Sequence, residues 1–236
     1  MIPLRGAVGR SWPWVTLGLI AVNVAIYLYQ LQLGPGGESA LFLKGGAVAA
    51  KLSQVKLLSS SKSLGVAATM FTSLFLHGGW IHLFGNMWFL WLFGEALEDD
   101  LGHLRFLAFY LFSGFFACLF HVLAVSNLDA PLIGASGAIA GVLGGYLVRL
   151  PQSPIRTAVF WRLKVEIVNI PAFVWLCLWL ALQFYGLRRG GTVAWMAHLG
   201  GFAIGVMTVN LFTPMSSKVA RAKPAGNKAG KSKKKG

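Results

Sequence analysis

Acidic side chains are scarce in this sequence, which has only seven Asp and Glu among 236 residues. Charge of either sign is low as well. Asp, Glu, Lys and Arg make up 12% of the chain, about half the share of a soluble domain. The two cysteines, Cys118 and Cys177, both fall in apolar runs. That excludes a disulfide framework and leaves the redox compartment unread. No His-Glu-x-x-His string is present, so the usual zinc-peptidase helix is absent. No pair of aspartates lies within the apolar runs, which removes an aspartyl mechanism. A zinc site assembled from His77, His82, His121 and His198 matches no recognised spacing, so neither a metal nor another cofactor is expected.

Long hydrophobic runs are what the sequence does have. Apolar residues make up 56% of it, and the mean hydropathy is +0.65. Six stretches reach or approach the 17 to 25 residues needed to span a bilayer as helices. They are 13–33, 81–97, 104–125, 133–150, 168–187 and 193–212. The expectation is an all-α membrane protein, a bundle of six transmembrane helices over residues 13–213. A short lead (1–12) precedes the bundle, a long first loop (34–76) interrupts it, and a tail (214–236) follows. The first run follows Arg5 and Arg10 but ends in no small-residue cleavage site, so an uncleaved span is expected.

The net charge of +14 does not indicate nucleic acid. Eight of the 21 Lys and Arg lie between Lys218 and Lys235, in a Lys-, Ala-, Gly- and Pro-rich tail unable to bury a core. Such a tail suits anionic lipid headgroups. Alternate connections carry fifteen basic residues on one side of the six runs and six on the other. The excess puts both termini in the cytoplasm and the long first loop outside. A cell membrane, the inner membrane of a bacterium, is the expected location.

Polar residues inside these runs are costly and are functional candidates by default. His82 opens the second run, Ser136 lies near the start of the fourth, and His198 lies a few residues into the sixth. All three runs enter from the outer side. At 1.5 Å of rise per residue the three side chains share one depth, and Asn86 lies one turn below His82 on the same face. Small residues follow each: Ala140 and Gly144 after Ser136, Gly201 and Gly205 after His198. Such a stripe lets helix backbones approach closely. A serine needs a base to become a nucleophile, and His198 is the candidate. Asn86, His82 and the Ser136 backbone N–H, on a turn flanked by Gly134 and Gly137, are candidate oxyanion donors. Only Asp129 is an acid near this side, in a loop, so the pattern reads as a Ser–His dyad. His77, five residues before His82, is off that face and reads as loop-fixing. His121 reads as structural, and His103 receives no role.

The strings His77-Gly-Gly-Trp-Ile-His82-Leu-Phe-Gly-Asn86, Gly134-Ala-Ser136-Gly137 and Ala197-His198-Leu-Gly-Gly201 closely resemble the rhomboid intramembrane serine proteases over roughly residues 71–206. The resemblance implies a six-helix bundle with a water-accessible cavity open to the outside. It assigns Ser136 as nucleophile, His198 as base, and His82 and Asn86 as oxyanion donors. It also implies single-span membrane substrates cut in or near their spans, with no cofactor, and a structural role for Glu98. The chain departs from the family at Ala68-Thr69, where many bacterial relatives have Trp-Arg. It departs again at Ala140, where some members stack an aromatic ring on the histidine. The other reading is a rhomboid-like protein that binds membrane clients without cutting them.

Overall fold

The computed structural model describes residues 1–7, 9, 11–53, 61–124, 129–161, 164–189 and 194–214. The basic tail from 215 onward, Arg10, Lys56, Arg162 and the start of the sixth expected run lie outside them. Each of the six apolar runs contains a helix. In chain order these are α1 (Trp14–Gln32), α5 (Trp80–Leu101), α6 (His103–Ala124), α7 (Ser136–Arg149), α8 (Ala172–Arg189) and α9 (Trp195–Thr208). The long first connection holds three more: α2 (Gly34–Gly45), α3 (Ala49–Leu52) and α4 (Ser61–Thr72).

Among the described residues α1 and α6 are each long and apolar enough to cross a bilayer, and α4 with α5, taken across an 84° bend, makes a third. Helices α7 and α9 have 14 residues apiece, about 21 Å at 1.5 Å per residue. That is short of a hydrocarbon layer of roughly 30 Å. Helix α7 is the core of the bundle: Gly137–Tyr146 is buried throughout, with α5, α6 and α9 packed around it.

The helical membrane fold expected from the sequence also carries a small sheet that hydropathy does not reveal. A three-stranded antiparallel sheet joins β1 (Ile2–Arg5), β4 (Pro154–Trp161) and β5 (Lys164–Pro171) in the order β1-β4-β5. The lead expected at 1–12 therefore starts as a strand. Residues 154–157 alternate as strands do, with Ile155 and Thr157 buried and Pro154 and Arg156 exposed. Hydropathy starts the fifth apolar run at Val168, but 168–171 belongs to β5. The helix starts only after Pro171, which lacks the N–H that a helix interior requires. A smaller ladder pairs β2 (Ala47–Val48) with β3 (Pro131–Leu132). It ties the first loop to the segment leading into α7.

Charged residues fix the ends of the helices. Helix α1 has no side-chain cap of its own. Its first N–H groups are instead taken by Glu98 of α5, which is fully buried. Glu98 accepts from the N–H of Val15 (2.9 Å), the N–H of Thr16 (2.8 Å) and the Thr16 hydroxyl (2.7 Å). A carboxylate there satisfies orphan donors and complements the helix dipole. The structural reading of Glu98 thus gains its physical cause. His103, given no role above, places Nδ1 2.6 Å from Glu98 Oε1. Gly102 (φ +83°) lets the chain reverse between α5 and α6. Arg149 at the end of α7 forms a bidentate pair with Asp100, so one of the cations counted for orientation is locally neutralised.

Candidate active site

Ser136 is the first residue of α7, half-buried, and its position follows from the chain before it. Gly134 has φ +112°, a conformation few side-chain-bearing residues adopt. Its N–H donates to the Ser73 carbonyl at 2.9 Å. Helix therefore cannot extend back to Ile133, where the apolar run begins. Ala135 caps α7 without a side-chain bond. The N–H groups of the first turn, that of Ser136 included, have no carbonyl four residues back and point out of the helix start. Such a terminus favours negative charge.

Two side chains of α5 face the same point. A β-carbon placed on Gly134 would lie 2.6 Å from His82 Nε2 and 3.6 Å from Asn86 Nδ2. Gly78 N–H approaches His82 Nδ1 at 3.4 Å, which leaves the proton on Nε2, the nitrogen aimed at Gly134. Asn86 is 7% exposed, and its Nδ2 has no hydrogen-bond partner among the described residues. A buried amide donor without an acceptor is uncommon in a folded protein. His77 is fully buried beside His82, with ring centroids 5.1 Å apart. Its main chain is held on both sides by Gln30 of α1: Gln30 Nε2 donates to the His77 carbonyl (2.8 Å), and His77 N–H donates to Gln30 Oε1 (3.1 Å). The clamp holds the His77 main chain and uses no atom of its imidazole. In the sequence Gln30 is one polar residue in an apolar run and gives no such signal.

Helix α9 brings His198 alongside. A β-carbon on Gly201 would sit 2.1 Å from the Gly137 carbonyl oxygen, and one on Gly205 2.0 Å from that of Gly141. The two helices thus touch backbone to backbone. Their contact face on α7 is Gly137, Gly141 and Gly144, one residue around from the expected Ser136, Ala140 and Gly144. Gly137 also abuts Ala197: a β-carbon placed on it would lie 3.7 Å from the Ala197 β-carbon. The residues next to Ser136 and His198 are therefore in contact. Neither Ser136 nor His198 hydrogen-bonds the other among the described residues. Such nucleophile–base bonds are often long without substrate. His198 Nδ1 instead meets Gln183 Oε1 of α8 at 2.9 Å, and its ring lies between those of Trp179 and Trp195. Ala140 contributes no ring; the rings near the imidazole are those of Trp179 on α8 and Trp195 on α9. Among the described residues no group of three or more His, Cys, Asp or Glu could hold a metal ion.

A small cavity beside Ser136 is lined by Ser73, Gly134, Gly137, Leu132 and Ala197. The arrangement can present a serine hydroxyl at a helix start, two aimed donors, and an imidazole held on the neighbouring helix.

Residues 65–214 match the family model described as the Rhomboid domain. Rhomboid-like protein 11, chloroplastic, of Arabidopsis thaliana is 32% identical over 155 residues, 62% of this chain and 52% of that protein. Rhomboid-like protease 3 of Toxoplasma gondii is 30% identical over 205 residues, 85% of this chain and 70% of its own. Rhomboid protease AarA of Providencia stuartii is 29% identical over 214 residues, covering 82% and 70% respectively. The chain thus spans about half the length of the chloroplast relative. With the domain matched from the first loop to the end of the last helix, this integral membrane protein belongs to the rhomboid family.

Proposed function

We propose that this chain is an intramembrane serine endopeptidase that cleaves single-span membrane proteins in or near their transmembrane segment. Ser136 Oγ attacks the scissile carbonyl carbon while His198 takes the hydroxyl proton. The carbonyl π pair moves to oxygen, and the oxyanion is held by Asn86 Nδ2, His82 Nε2–H and the Ser136 N–H. Collapse breaks the C–N bond as His198 returns the proton to the departing amine. Water then attacks the acyl-enzyme by the same route in reverse. The observation that carries this reading is the pair of donors on α5 aimed at Gly134, one of them a buried amide with no partner among the described residues.

Six spans with both termini in the cytoplasm, a bacterial cell membrane and anionic lipid beneath the basic tail belong to the same proposal. The relatives named as proteases support the reaction class. In proteoliposomes holding a model single-span substrate, Ser136→Ala and His198→Ala are each expected to abolish cleavage and leave the thermal melt unchanged. A serine-reactive fluorophosphonate is expected to label the wild type and not Ser136→Ala. Folded wild type that neither labels nor cleaves would instead fit a client-binding protein without catalysis.

A further inference from the structure

We infer that Gln183 is a positioning residue that fixes which nitrogen of His198 carries the proton, an inference that rests on the reading of His198 as the base. Gln183 is buried on α8 and its amide is used at both ends. Nε2 donates to the Trp179 carbonyl at 3.1 Å, and Oε1 lies 2.9 Å from His198 Nδ1. A carbonyl oxygen accepts and cannot donate, so the atom facing Trp179 has to be the amide nitrogen. The other end is then an oxygen with no proton to give, and the proton of that contact has to come from His198 Nδ1. In a neutral imidazole this leaves the lone pair on Nε2. The chain of polarity runs from a helix carbonyl through the glutamine to the imidazole, and it delivers an Nε2 able to accept the Ser136 proton.

The same helix holds the ring in place. Trp179, Gln183 and Gly186 follow the i, i+4, i+7 spacing of one α8 face. The Trp179 ring lies 6.3 Å from His198 at 36°, and Trp195 meets it edge-on at 5.9 Å and 88°. Gly186 makes room for that indole, since a β-carbon there would come within 2.5 Å of the Trp195 ring. Among the described residues no carboxylate hydrogen-bonds His198. The dyad has no carboxylate, and a neutral amide does the orienting that an aspartate does in a Ser–His–Asp triad. A neutral orienter adds no further buried charge to a site within the bilayer.

The test uses the full-length protein in detergent with ¹⁵N-labelled histidine, His198 being assigned from the spectrum of His198→Ala. The wild type is expected to show the Nδ1–H tautomer, and Gln183→Leu a mixture with Nε2–H. In proteoliposomes Gln183→Leu is expected to lower kcat by about 10²-fold with KM unchanged. Gln183→Glu, which keeps an acceptor oxygen, is expected to recover most of that loss. A wild-type His198 protonated on Nε2, or a Gln183→Leu protein with the native tautomer and native kcat, overturns the inference. Because the wild-type spectrum is itself decisive, it stands even if the leucine variant fails to fold. Cleavage that survives Ser136→Ala would instead overturn the proposed function, while the tautomer is still decided by the spectrum.

Discussion

At the scale of single residues, the site depends on donors that have nothing else to do. Asn86→Ala removes one proposed oxyanion donor and, among the described residues, no hydrogen bond made by its Nδ2. It is expected to lower kcat by about 10²-fold with little change in KM; a defect confined to KM would contradict the donor role. Gly134→Ala is a harsher change. Its β-carbon would meet His82 Nε2 at 2.6 Å on a backbone of φ +112°, so His82 has to leave its position. Cleavage is expected to fall below detection in a protein that still binds a non-cleavable substrate peptide. Ser136, His198, His82 and Asn86 can be picked out in the sequence because a polar group in an apolar run stands out. Gln183 cannot be picked out the same way. It sits near an end of its run where glutamine is unremarkable, and only the fold shows that its oxygen faces an imidazole. His103 and Arg149 show only their charge in the sequence, because their partners Glu98 and Asp100 lie across a turn or on another helix.

At the scale of elements, the glycine stripes set how near the nucleophile and base can come. Gly205→Leu would drive a side chain into the Gly141 carbonyl, which is backbone and cannot swing aside. The expected result is a lower melting temperature together with lost cleavage, since α9 carries His198. Gly18 on α1 is the counter-case: it is exposed and a β-carbon there meets nothing within 4 Å. Gly18→Ala is expected to leave cleavage intact and stabilise the helix by about 0.5–1 kcal/mol, read from denaturation in detergent. The stripes are visible in sequence as small residues at helical spacing, but the face used on α7 lies one position away from the expected one. Six helices are legible from hydropathy, whereas the sheet is not. Strands rich in Val, Ile and Phe raise hydropathy as helices do, and β5 runs directly into α8.

At the scale of the whole molecule, a buried carboxylate secures α1 to α5. Glu98→Leu leaves the N–H groups of Val15 and Thr16 and the Thr16 hydroxyl without their acceptor. Each buried donor left without an acceptor costs about 1–3 kcal/mol. The variant is expected to melt well below the wild type, and cleavage at low temperature is expected to persist because Glu98 touches no part of the site. Orientation is checked separately. A single cysteine placed in the tail of a cysteine-free variant is expected to resist an impermeant maleimide until the membrane is opened. Labelling of intact cells would reverse the assigned topology.

Helix α1 is therefore pinned at both extremities, by Glu98 at its start and by the Gln30 clamp on His77 near its finish. A rod riveted top and bottom acts as a fixed post. Under the proposed function, a client moving toward Ser136 is expected to enter by another flank of the bundle. Cross-linking α1 to α5 should then leave turnover untouched.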